Sequence, residues 1–289
     1  MKKITVIKIC LIASLLISSS VFAKSSLWKI SKGSDHLFIG GTIHLLSKDD
    51  YPLPADFEKI YSQSEELVLE TDMQKLQQPE IQMKMLQQMS YQDGATLKEH
   101  LKPETYTLLE DFISTSGLPM QAIESYKPGM VSMMLTVIEL KKLGIDVAGV
   151  DQFYTNKAMN DQKKLGKLET VEQQMSFLAS MGQSDPDGFI RYTLRDMTEL
   201  PKMFNDLKIA WKNGDTKKLA EIAIIPMKKD FPETYQALLV KRNKAWVPQI
   251  EKMLKTKEIE MILVGALHLA GKESVLTQLE SLGYEVEQY

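Results

Sequence analysis

Residues 258–289, EIEMILVGALHLAGKESVLTQLESLGYEVEQY, decide how the rest of the chain is read. The apolar run from 258 to 264 is short and ends at Gly265, which fits a buried strand. Gly265-Ala266-Leu267-His268 then forms a turn, 273 to 282 has helical spacing, and 284 to 287 alternates as a last strand. Gly271 and Gly283 supply the breaks. Strand, loop, helix, strand is the unit from which α/β sheets are built.

The start of the chain supplies a matching strand. Apolar runs at 27–30 and 37–39 flank Lys32-Gly33-Ser34-Asp35, a hairpin signal. The second run leads into Gly40-Gly41, and its turn ends at His44. Gly41-Thr42-Ile43-His44 thus repeats the Gly-x-x-His of 265–268 in the same context: after an apolar strand and before a leucine. If the two turns act together, the ends of the chain must meet in one sheet. Between them, Pro52 and Pro54 precede a helical stretch at 55–62, and 66–70 reads as a buried strand closing on Glu70. From 72 to 143 the spacing is helical, and Pro79, Pro103, Pro119 and Pro128 divide it into four or five helices. Residues 147–151 read as a strand end at Asp151, 152–162 as a helix, and 164–168 as a strand before Glu169. Helices resume through 254. The expected fold is α/β (α+β): a mixed central sheet built from both chain ends, with a large helical insertion. No sequential domain split is expected.

The first 23 residues read as a signal peptide. Met1-Lys2-Lys3 is positive, an apolar run spans 9–21, and Val21-Phe22-Ala23 has the small-x-small form of a cleavage site. The run is shorter than the ~20 residues of a membrane span; a retained anchor is the alternative. Cleavage after Ala23 leaves one domain, 24–289, exported to the periplasm or secreted. The whole chain carries a net charge of −3, and losing Lys2, Lys3 and Lys8 makes it more acidic. A basic nucleic-acid-binding face is therefore not expected. No later run is long enough to cross a membrane. The single cysteine, Cys10, lies within the signal, so the mature chain has no thiol for a disulfide or a nucleophile.

Of the four histidines, His36 and His100 read as surface or packing residues, whereas His44 and His268 stand in matching turns. The carboxyl end of a strand is where α/β proteins place ligands. Two neutral imidazoles there, joined by a carboxylate, suit a transition metal. Glu70 would be the third ligand or a general base. The plainer reading is that these turns merely cap helices. Asp151 and Glu169 also fall at expected strand ends, and Glu169-Thr170 repeats Glu70-Thr71. Arg242, followed by Asn243 and then Trp246, would hold an anionic group or a developing oxyanion, or else form a structural ion pair. No His-Glu-x-x-His, Gly-x-Ser-x-Gly, phosphate loop or dinucleotide fingerprint occurs. Met73, Met83, Met85 and Met89 cluster, which suits packing or a partner-facing groove more than a copper(I) site.

Taken in order, these residues resemble the TraB/GumN family of exported bacterial proteins, related to the Tiki proteases of animals. The carriers are 38–44 (Phe-Ile-Gly-Gly-Thr-Ile-His), Leu69-Glu70-Thr71, Gly149-Val150-Asp151 and Leu168-Glu169-Thr170 with Glu172-Gln173. Arg242-Asn243 with Trp246, 264–268 (Val-Gly-Ala-Leu-His) and Leu282-Gly283-Tyr284 complete the set. The resemblance implies a fold like that of erythromycin esterases and of a haem-binding iron-regulated lipoprotein group. It also implies metal-dependent peptide hydrolysis, with His44, His268 and Glu70 binding Mn²⁺, Co²⁺ or Zn²⁺ and Arg242 and Asn243 in support. The superfamily is chemically mixed. A metal-free hydrolase with a histidine general base, and a haem- or metal-binding protein without catalysis, therefore stand as alternatives. The expected partner is a peptide or small-molecule substrate.

Overall fold

The computed structural model describes residues 25–92 and 94–289. The expected signal peptide, 1–23, lies outside the described residues. Among the described residues there are eight strands: β1 (Leu27–Lys32), β2 (Asp35–Thr42), β3 (Leu45–Leu46), β4 (Glu66–Leu69), β5 (Val147–Ala148), β6 (Lys164–Lys167), β7 (Glu260–Gly265) and β8 (Glu285–Gln288). Six form one sheet in the order β6-β4-β7-β2-β1-β8. β6, β4, β7 and β2 run parallel, while β1 runs antiparallel to β2 and to β8. The sheet is mixed, as expected. The two chain ends contribute β1, β2, β7 and β8, and the interior adds β4 and β6.

The alternation within the strands explains why the sheet is covered on both faces. Phe38, Met261 and Leu263 point to one side, where they pack with Phe57, Ile60, Tyr154 and Trp211. Leu37, Ile39, Ile262 and Val264 point to the other, against Trp246, Val247, Ile250, Val275 and Leu279. Helices Ala55–Gln63 and Val150–Asn160 and the end of Pro186–Lys212 therefore cover one face, and Lys241–Met253 and Val275–Ser281 the other. Fully burying a side chain of this size contributes about 1.5–3 kcal/mol. Gly40 lets this packing close in on the strand: a Cβ there would come within 2.8 Å of a Leu263 methyl and 2.9 Å of a Leu27 methyl. Trp211 secures the end of its helix by donating from Nε1 to the Gly41 carbonyl at 2.7 Å.

The insertion forms helices Met73–Leu76, Pro79–Gln88, Leu97–His100, Pro103–Ser114 and Pro128–Lys142. Most of it builds a separate core with the first part of Pro186–Lys212, through Leu109, Ile113, Val131, Leu135 and Ile190. The methionine cluster does not form one surface: Met89 is fully buried, Met83 is 62 % exposed, and Met85 packs near Ile81 and Met175. No helix among the described residues is long and apolar enough to cross a membrane.

One expected strand end lies elsewhere. Val147-Ala148 pairs with β3 in a separate two-stranded clip, and Asp151 sits in the first turn of Val150–Asn160. The reason is local hydrogen bonding: Gly149 N–H donates to the His44 carbonyl and Val150 N–H to the Ile43 carbonyl. A Cβ on Gly149 would lie 2.0 Å from the Ile43 carbonyl oxygen, so only glycine permits this docking.

Candidate functional site

Four adjacent parallel strands bring their carboxyl ends to one edge of the sheet, and each delivers a titratable side chain there. Glu169 follows β6 and Glu70 follows β4 directly. His268 lies in the 3₁₀ turn Ala266–Leu269 after β7, and His44 follows β2. Long sequence separations are closed in this way, as in the 2.7 Å hydrogen bond from Gly265 N–H to Glu70 Oε1, 195 positions away. His44, Glu70 and His268 converge at Gly265. A Cβ there would lie 3.3 Å from Glu70 Oε1, 3.7 Å from His268 Cδ2 and 3.8 Å from His44 Nε2. Glycine keeps that space open.

Both imidazoles are oriented through Nδ1. Asn243 Oδ1 accepts from His268 Nδ1 at 2.6 Å, and its Nδ2 donates to the Glu273 carbonyl at 2.8 Å. Because Nδ2 is the donor, Oδ1 must be the acceptor, and the His268 proton resides on Nδ1. His268 Nε2 therefore carries a lone pair. Asp151 Oδ2 holds His44 Nδ1 at 3.1 Å, which leaves Nε2 facing Gly265. Such anchoring of the far ring nitrogen is the usual support of histidine ligands and bases.

Arg242 joins the members. Nε and Nη2 donate to Glu169 at 3.0 and 2.7 Å, and Nη2 also donates to Glu70 Oε2 at 2.5 Å. Nη1 donates to the Leu238 carbonyl at 3.1 Å and to His268 Nε2 at 2.9 Å. A guanidinium has five N–H donors, and these five hydrogen bonds use them all. The flat faces of the group are covered by Phe177 and Trp246, 4.3 and 4.6 Å from the ring centres. Arg242 as arranged has no donor left for a substrate oxyanion, and Asn243 is committed to His268. Both organise the site.

The surroundings set the charges. Burial holds the His268 pKa down at about 3, with Arg242 acting in the same direction, so the ring is neutral. Asp151 raises that of His44 to about 9. The His44 side chain is 66 % exposed, however, so water screens this interaction. Burial opposes ionisation of Glu70 but is outweighed by Arg242, the His44 imidazolium and the Gly265 N–H, which hold its pKa below the usual carboxylate range. Burial raises that of Glu169 against the pull of Arg242. A groove of about 660 Å³ opens between Val171–Ser180 and Lys241–Met253, with Glu169, Arg242, Phe177 and Lys241 among its walls.

The donor set fits a divalent transition metal in kind: two imidazoles presenting Nε2, and a carboxylate. His268 Nε2 and Glu70 Oε1 are 3.7 Å apart, within the reach of one ion. Thr42 Oγ1, Thr71 Oγ1 and Asp151 Oδ1 are buried at the same loops without a partner. One movement is needed, since Arg242 Nη1 takes the His268 lone pair. As they stand, no three His, Cys, Asp or Glu side chains among the described residues are gathered to hold a metal.

The sequence singles out all five principal residues: His44, Glu70, Arg242, Asn243 and His268. It does not reveal Asp151 as the His44 anchor or Glu169 as the main Arg242 partner. For Glu169 the one available signal is the repeated Glu-Thr dipeptide.

Fold and site together define an α/β protein whose histidines and carboxylates meet at the carboxyl ends of parallel strands. The family model for the TraB/PrgY/gumN family matches residues 26–288. The chain belongs to the TraB/PrgY/gumN family. It is 23% identical over 245 residues to the "Uncharacterized protein YbaP" of Escherichia coli strain K12, covering 83% of this chain and 86% of that protein. The Shigella flexneri protein of the same name matches at 23% over the same 245 residues, with the same shares of both chains. No solved structure matches the chain.

Proposed function

We propose that the protein is an exported, metal-dependent hydrolase acting on peptide bonds. The observation that carries this reading is the paired anchoring of the two imidazoles. Asp151 and Asn243 each tie down an Nδ1, so both Nε2 atoms border the space beside Glu70 and Gly265. His44, His268 and Glu70 would hold the ion. A divalent ion so placed polarises a scissile carbonyl and lowers the pKa of water.

The chain's own residues do the rest. Glu70 Oε1 borders the open space, where it would complete the ion's shell. Gly265 N–H and Arg242 fix the direction of that carboxylate. Asn243 keeps the His268 proton on Nδ1. In hydrolysis, water oxygen bonds to the carbonyl carbon, the C–N bond breaks, and the amine leaves with one proton. Export rests on the reading of residues 1–23.

The test is hydrolysis of a peptide library by chelator-stripped protein, then by the same protein resupplied with Mn²⁺, Co²⁺ or Zn²⁺. Activity returning with metal, and lost about 10²-fold or more in His44→Ala and Glu70→Gln, is expected. Folded protein inactive with every ion would overturn the reading. One observation favours a second reading, hydrolysis without metal: Arg242 already neutralises the carboxylates. Full activity in chelator, lost in His44→Ala, would select it.

A further inference from the structure

Arg242 is placed where a metal ion's positive charge would be needed. It bonds to Glu70 Oε2, to both Glu169 oxygens and to the lone pair of His268 Nε2. A divalent ion held by His268 and Glu70 would draw on the same Nε2. The two cations compete for it, because a nitrogen lone pair serves one partner at a time.

We propose that Arg242 is the resident cation of this site, standing in for the divalent ion and withdrawing when the ion loads. This rests on the metal-dependent reading of the site but concerns a different residue and a different event. The geometry gives the guanidinium somewhere to go. Its bonds to Glu169 and to the Leu238 carbonyl do not depend on His268, and Arg242 itself lines the 660 Å³ groove together with Glu169, Phe177 and Lys241. Withdrawal frees His268 Nε2 as a ligand. It also removes a charge-assisted hydrogen bond from Glu70, which makes that carboxylate a stronger base. Arg242 is then a positioning residue that keeps the ligands assembled and charge-balanced before metal arrives.

The experiment is calorimetric titration of Mn²⁺ and of Zn²⁺ into the purified, chelator-stripped protein, with thermal unfolding measured in parallel. Arg242→Gln removes the competing cation. It is expected to bind metal at least about tenfold tighter than the wild type, the equivalent of one charge-assisted hydrogen bond. Arg242→Gln is also expected to unfold at lower temperature without metal and to recover more than the wild type when metal is added. Arg242→Lys keeps a charge for Glu169 without the fork that reaches His268; it tests the idea if the glutamine variant does not fold, and should also bind tighter than wild type. Equal or weaker binding in the variants, with wild-type binding intact, overturns the proposal and leaves the metal reading standing. Binding in the variants alone overturns the proposal, because Arg242 then blocks the native site instead of withdrawing from it, and removes the metal reading for the native protein. No binding in any of the proteins overturns both.

Discussion

At His44 and His268 the same ring sits in opposite surroundings. His268 is buried beside a guanidinium, and its pKa falls to about 3. His44 faces solvent beside Asp151, and its pKa rises to about 9. The two therefore act on stability at opposite ends of the pH scale. The contribution of His268 is complete above the ordinary value of 6.5 and is lost as pH falls toward 3, where the unfolded chain binds a proton that the folded chain refuses. The contribution of His44 is complete below 6.5 and is lost as pH rises toward 9, because the folded form binds the proton more tightly. Urea unfolding across pH should show His268→Gln with a shallower acid limb and Asp151→Asn with a shallower alkaline limb. The His268 effect should be the larger, of the order of a few kcal/mol, because each pKa unit on a buried group corresponds to ~1.4 kcal/mol. Identical limbs in wild type and variants would overturn the assignment of a neutral His268 and a charged His44.

The elements matter through where they stop. β2 and β7 end level with each other, two residues beyond the level ends of β4 and β6, so a residue one to three positions past each strand enters the same space. Two glycines make this possible by different means. At Gly265 a Cβ would meet only side-chain atoms, 3.3 Å from Glu70 Oε1 at the nearest. Gly265→Ala should fold with a stability change under about 1 kcal/mol but lose hydrolysis about 10²-fold, since small displacements of catalytic groups cost that much. At Gly149 the Cβ would meet backbone atoms at 2.0 to 2.5 Å. Gly149→Ala should instead open the clip between β3 and β5, cost about 1–3 kcal/mol, and shift the alkaline limb as Asp151→Asn does. A Gly149→Ala protein with the wild-type limb would show that the clip does not hold Asp151. The π-helical segment Gln236–Val240 precedes Arg242 and Asn243, and its Leu238 carbonyl accepts from Arg242. Segments of this kind recur at functional sites, where they redirect side chains from a helix.

On the scale of the whole molecule, the sheet that carries the site is held together by the chain's two ends. β8 pairs with β1, Tyr289 packs edge-on against Phe38, and Tyr289 N–H donates to the Leu27 carbonyl. Deleting 285–289 should uncover β1 as an edge and lower the Tm by about 5 °C or more, at ~2–4 °C per kcal/mol for a chain of this size. Activity at low temperature should survive, because none of the deleted residues reaches His44 or Glu70. An unchanged Tm would mean that β8 adds nothing to the sheet.

Much of this is legible in the sequence, because strands and turns are written in short-range chemistry. The apolar runs at 258–264 and 37–39, the glycines of the two Gly-x-x-His turns, and the proline punctuation of the insertion each follow from local physics. They point to the mixed sheet and to the two histidines of the candidate site. What only the tertiary structure decided is who touches whom. No local pattern relates Arg242 to Glu169, 73 positions away, or His44 to Asp151, 107 positions away. Asp151 reads as a strand end because hydrophobic spacing around 147–150 is the same in a two-residue clip as in a central strand. Arg242 reads equally well as an oxyanion donor or an ion-pair partner, since composition does not count hydrogen bonds. Only when the four strand ends are brought together do its five donors find five acceptors. Sidedness and strand order depend on long-range burial, and burial is a property of the assembled sheet.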